Sequence, residues 1–191
     1  MGKASSKMFK VDVNIPSLFV ASIIPDIDLL IPWIEHRGPL HSIILLFLAS
    51  IPLIIVWKRK AIPYIAALIS HPLLGDYLTS TCRDQGIQLL FPLSESWFYA
   101  GLQALNTTFV FIEVALFGLM LLLLVKTKDI EFFIQPHSSN LLLAVPIAAA
   151  LLPVFTRFPI PVPTTLIIPH LALIILLSVP ILIDIKTIII G

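Results

Sequence analysis

Residues 164–185 read TTLIIPHLALIILLSVPILIDI, an apolar run in which Asp184 is the sole acid. A run of this length matches the roughly 20 apolar residues that a helix needs to cross the hydrocarbon of a bilayer. Three further stretches read the same way: 40–57 (LHSIILLFLASIPLIIVW), 104–125 (ending FIEVALFGLMLLLLV) and 140–156 (NLLLAVPIAAALLPVFT). Across all 191 residues, 58% are hydrophobic and 12% charged, and the mean hydropathy is +1.03. The expected fold is therefore an all-α, polytopic transmembrane helical bundle of about five to six kinked helices. It forms a single integral membrane domain over 1–191, with a metal-site half at 11–95 and supporting transmembrane helices at 96–191.

Two segments fit that scheme less well. Residues 15–34 contain Pro16, Pro25 and Pro32 together with Asp26 and Asp28, so the apolar first half ends at Pro25 and the segment does not cross as one rod. Residues 61–79 (AIPYIAALISHPLLGDYLT) are long enough to span but carry His71 and Asp76, which must face protein and not lipid. With six crossings and the N-terminus inside, nine basic residues (Lys3, Lys7, Lys10, Lys58, Arg59, Lys60, Lys126, Lys128, Lys186) are cytoplasmic and three (Arg37, Arg83, Arg157) are outside. That bias predicts a multi-pass cell-membrane protein with a cytoplasmic N-terminus. A signal peptide over residues 3–24 is the minor alternative.

Ionisable side chains are costly in so greasy a chain, and their clustering is informative. Between residues 26 and 95 lie three of the five histidines and six of the eleven acids. A divalent ion such as Zn, Mn or Mg is the direct way to stabilise carboxylates and imidazoles together at low dielectric, and this set suits one or two. Three pieces stand out. In PDID (25–28), Pro25 stops a helix and both Asp side chains reach one site if the backbone turns. In HRGPLHS (36–42), His36 and His41 flank one turn, and Arg37 offers a planar fork to an anion. In HPLLGD (71–76), His71 and Asp76 are five apart, about 140° on a regular helix. Either Pro72 and Gly75 distort that turn or only one of the two residues is a ligand.

The ordered set PDID, HRGPLHS, HPLLGDYLT and downstream GIQLLFPLS resembles the YdjM-like family of membrane-bound, predicted metal-dependent hydrolases, over roughly residues 15–95. The resemblance implies a divalent metal held by Asp26, Asp28, His36, His41, His71 and Asp76, and hydrolysis of an ester or phosphoester. This chain departs from the pattern in two places. It has no His ahead of PDID, and its third motif is one residue longer than the usual His-x-x-x-Asp.

The function expected is metal-dependent hydrolysis with Arg37 and Asp76 in catalytic roles. The partners expected are membrane lipids, with a lipid or lipid-linked substrate arriving laterally. A non-catalytic transporter or channel with the same His/Asp groups as an ion site is the alternative, and a structural protein retaining a metal site is a third reading. Nucleic acid is a poor partner, since the net charge of +1 leaves no broad basic face. The lone Cys82 excludes multi-cysteine metal motifs. Outside the cluster, Glu113 reads as an interior structural acid, His170 as hydrogen-bonded to a freed carbonyl, Asp184 as paired with Lys186, and His137 as a solvated loop residue.

Overall fold

Asn14 and Pro16 set the start of the helix that leads into the first motif. The Asn14 side chain accepts a hydrogen bond from the Ser17 N–H at 2.9 Å, and proline fits the first turn, where no intrahelical donor is needed. The computed structural model describes residues 1–80, 86–101, 107–156 and 164–190. It divides into two compact units, residues 1–104 and 105–191.

In the first unit, α1 (Gly2–Phe9) and α2 (Ile15–Ile23) both pack on α5 (Ile62–Ser70). Gly2 is required by this contact, because a Cβ there would stand 2.7 Å from the Pro63 carbonyl and 2.8 Å from Leu18. After α2 the chain tightens into a 3₁₀ helix, Ile24–Leu30. Its three-residue repeat turns Ile24, Ile27 and Leu30 outward as one ridge, continued by Trp33, which is 85% exposed, while Asp28 points inward.

The 40–57 run is interrupted. Ser42 caps α3 (Ile43–Ala49), and α4 (Ile51–Trp57) restarts around Pro52. The two seven-residue helices together rise only about 21 Å, short of the ~30 Å hydrocarbon thickness. A basic turn, Lys58–Ala61, leads into α5, which passes into a π-helical turn, His71–Asp76, and the short α6 (Tyr77–Thr79).

The segment from Gly86 onward braces the second motif. Gln88 N–H donates to the Arg37 carbonyl at 3.0 Å, and Ile43 N–H to the Leu89 carbonyl at 3.1 Å. The Ser42 hydroxyl reaches the Leu89 and Phe91 carbonyls at 3.2 and 2.5 Å. An isolated antiparallel bridge, Ile87 to Phe98, closes this brace.

The second unit holds α7 (Thr107–Lys126), α8 (Asp129–Ile134), a 3₁₀ turn (Ser138–Leu143), α9 (Ala144–Thr156) and α10 (Ile167–Ile190). Among the described residues, two stretches are long and apolar enough to cross a membrane, Ser138–Phe155 and Ile167–Thr187. As expected for a lone imidazole in an apolar helix, His170 Nε2 meets a main-chain carbonyl, that of Ala150, at 2.7 Å. Asp184 does not turn to Lys186. It points inward to the His137 N–H at 2.8 Å and the Asn140 amide at 3.3 Å. The Glu113 side chain and Cys82 lie outside the described residues.

Candidate metal centre

The backbone places the three motifs around one point in the first unit. The 3₁₀ turn sets Asp26 and Asp28 about 120° apart around its axis, against about 160° in an α-helix, and both carboxylates reach His41. Arg37 adopts a left-handed conformation, φ +65°. Such a backbone is uncommon for a non-glycine residue and persists only where its surroundings fix it. Three contacts do so here. Its N–H donates to Asp28 Oδ2 at 3.0 Å, its carbonyl is held by Gln88, and its guanidinium lies 3.2 Å from Asp76 Oδ1. Gly38 follows because the turn is tight, and a Cβ there would stand 2.7 Å from the Glu35 carbonyl.

The π turn settles the spacing question in the third motif. A π helix closes i to i+5 and so brings residues five apart nearly onto one face. His71 Nε2 and Asp76 Oδ2 accordingly stand 3.2 Å apart.

Four ligand-type atoms then form a closed ring of alternating nitrogen and oxygen. His41 Nε2 is 3.5 Å from Asp26 Oδ1 and 3.2 Å from Asp76 Oδ2, and His71 Nε2 is 3.2 Å from each of the same two oxygens. Ligands of a tetrahedral ion with bonds of 2.0–2.1 Å stand about 3.3–3.4 Å apart, which is the spacing of this ring. His41 is fully buried at 0% exposure, and neither of its ring nitrogens has a hydrogen bond. Both nitrogens instead face carboxylate oxygens at 3.1–3.5 Å, an arrangement that a cation between them or a proton on the ring would satisfy.

Asp28 sits behind the ring. Its Oδ1 is 3.0 Å from His36 Nδ1, and its Oδ2 is 3.1 Å from His41 Nδ1 while accepting the Arg37 N–H. Burial alone pushes the Asp28 carboxyl up, yet the imidazoles of His36 and His41 facing it outweigh that and hold it down at about 2. Burial likewise raises Asp26, and His41 and His71 bring it below its usual value. Three carboxylates against one guanidinium leave two negative charges, which one divalent cation, or protons on the two imidazoles set between them, would balance.

All seven candidate residues, Asp26, Asp28, His36, Arg37, His41, His71 and Asp76, are thus neighbours. Within them Asp26, His41 and His71 form one group able to hold a metal, and Asp28, His36 and His41 another. Glu35 and Glu95 make no ion pair with the cluster among the described residues, and Asp84 lies outside those residues. The sequence gave GIQLLFP no task. Its main-chain carbonyls and amides, which leave no side-chain signature, hold the His41 turn in place.

Compared with known proteins, residues 2–159 match the family model described as YdjM inner membrane protein. No curated protein and no solved structure matches the chain.

Proposed function

Because the chain belongs to the YdjM inner membrane protein family, we propose that it is a multi-pass membrane protein of about five to six kinked helices whose first unit is a metal-dependent hydrolase. The N-terminus is cytoplasmic; α7, Ser138–Phe155 and α10 cross as whole segments, and α2, 40–57 and 61–79 enter the membrane as shorter, broken ones. The bond cleaved is an ester or phosphoester of a lipid or lipid-linked substrate.

The single observation that carries this reading is the fully buried His41 ring, whose two nitrogens face three carboxylates at 3.1–3.5 Å. Asp26, His41, His71 and Asp76 would hold the ion, a donor set of two imidazoles and two carboxylates that suits Zn or Mn better than Mg. When bound, such an ion lowers the pKa of a water and polarises an ester or phosphoryl oxygen.

The other residues act around it. Asp28 fixes the ring orientation of His41 through Nδ1, leaving Nε2 for the metal. His36 is partly exposed and hydrogen-bonded to Asp28, which places it at the rim to pass a proton. Arg37, held beside Asp76, sets a fixed positive charge at the site against developing negative charge on the substrate. The ridge of Ile24, Ile27, Leu30 and Trp33 beside Asp26 and Asp28 favours a substrate with acyl or prenyl chains over a water-soluble one.

The test is metal content and hydrolysis by the detergent-purified chain, on a panel of phospholipids and lipid-linked phosphates, with His41→Ala and His71→Ala alongside. Bound metal and turnover in the wild type, both lost in the variants, support the enzyme. Metal lost together with ion flux in vesicles, with no turnover in any sample, supports an ion pathway. A wild type without divalent metal after purification in metal-supplemented buffer refutes both.

A further inference from the structure

The second unit contains a polar pair that the proposed hydrolase does not use. Asn140 is fully buried and Asp184 is only 6% exposed. Asp184 Oδ1 accepts from the His137 N–H at 2.8 Å and from Asn140 Nδ2 at 3.3 Å, and Asn140 Nδ2 also donates to the Gln135 carbonyl at 3.2 Å. The two donations fix the amide orientation, because the flipped amide would set its oxygen against two acceptors. The remaining oxygens, Asn140 Oδ1 and Asp184 Oδ2, are buried and meet no donor among the described residues. Lys186, two residues further along α10, is exposed and makes no ion pair with Asp184 among those residues.

Two buried acceptor oxygens without a donor among the described residues, one of them on a carboxylate, thus belong to side chains in direct contact between the Ser138–Leu143 turn and α10. A water molecule would satisfy the acceptors but leave the charge, whereas a cation, or a proton on Asp184 Oδ2, answers both, and the experiment below tells the two apart. A single carboxylate falls short of the several that a calcium site assembles, and Mg²⁺ retains its waters in preference to such a site. We propose that Asn140 Oδ1 and Asp184 Oδ2 bind a small monovalent hard cation, sodium being the matching probe, which ties the His137–Leu143 turn to α10.

The experiment is thermal unfolding of the full chain in detergent with a divalent-metal chelator present, in sodium chloride against N-methylglucamine chloride at equal ionic strength. Sodium is expected to raise the melting temperature by a few degrees, saturably, and potassium to do so less. Asp184→Asn and Asn140→Leu are expected to abolish the difference. If either variant does not fold, ²³Na line broadening on the wild type, reversed by lithium but not by N-methylglucamine, provides the second reading. Equal melting temperatures in the two salts, with no ²³Na broadening, would mean that a proton or water satisfies the pair and overturn the proposal.

Discussion

His71 and Asp76 are five residues apart in sequence, yet their Nε2 and Oδ2 atoms stand 3.2 Å apart because the helix between them widens into a π turn. The extra residue relative to a His-x-x-x-Asp spacing is absorbed in the backbone, and the side-chain relationship is that of an ordinary i, i+4 pair.

Deleting Leu74 therefore leaves His and Asp four apart on a regular helix, about 40° from each other, and is expected to preserve metal binding. Inserting an alanine after Leu74 exceeds what one π turn absorbs and is expected to abolish it. Metal stoichiometry of the purified variants by mass spectrometry checks both. Equal loss in the two variants would dissociate the π turn from the site.

Asp28→Asn removes the charge behind His41 and should weaken metal binding by about 10–100-fold, without eliminating it. His41→Ala should eliminate it. Titration against a chromophoric chelator separates the two. A complete loss in Asp28→Asn would mean that Asp28 contacts the ion directly.

Arg37→Gln removes the charged fork, shortening the side chain but leaving a polar amide. Metal content is expected to stay at the wild-type level while turnover falls roughly 10²–10³-fold. A parallel loss of metal would mean that the Arg37–Asp76 pair serves mainly to assemble the site.

Gly38→Ala drives a Cβ to 2.7 Å from the Glu35 carbonyl and is expected to cost about 1–3 kcal/mol. Gly75→Ala is the control, since nothing stands within 4 Å of a Cβ there, and its effect should be within about 1 kcal/mol. Denaturation midpoints in detergent give both values.

The residues of the centre were legible from sequence because ionisable groups in an apolar chain have few other reasons to cluster, and PDID, HRGPLHS and HPLLGD do meet. Their geometry was less legible. Residue spacing assumes a regular helix, so the π turn at 71–76 registers only as a mismatch. The 40–57 run reads as one helix because hydropathy does not register Pro52, where the chain breaks into two short ones. Asp184 reads as a partner of Lys186 by proximity in sequence, but a carboxylate can satisfy itself on main-chain N–H groups that no spacing rule exposes. The Gly86–Pro92 brace was invisible for the same reason.

His41 is wholly enclosed, while the His71 and Asp26 side chains beside it are 19% and 23% open to the outside. In the proposed centre an ion arriving from outside would therefore meet the rim pair before the deepest nitrogen, and an ion leaving it would part from that nitrogen first.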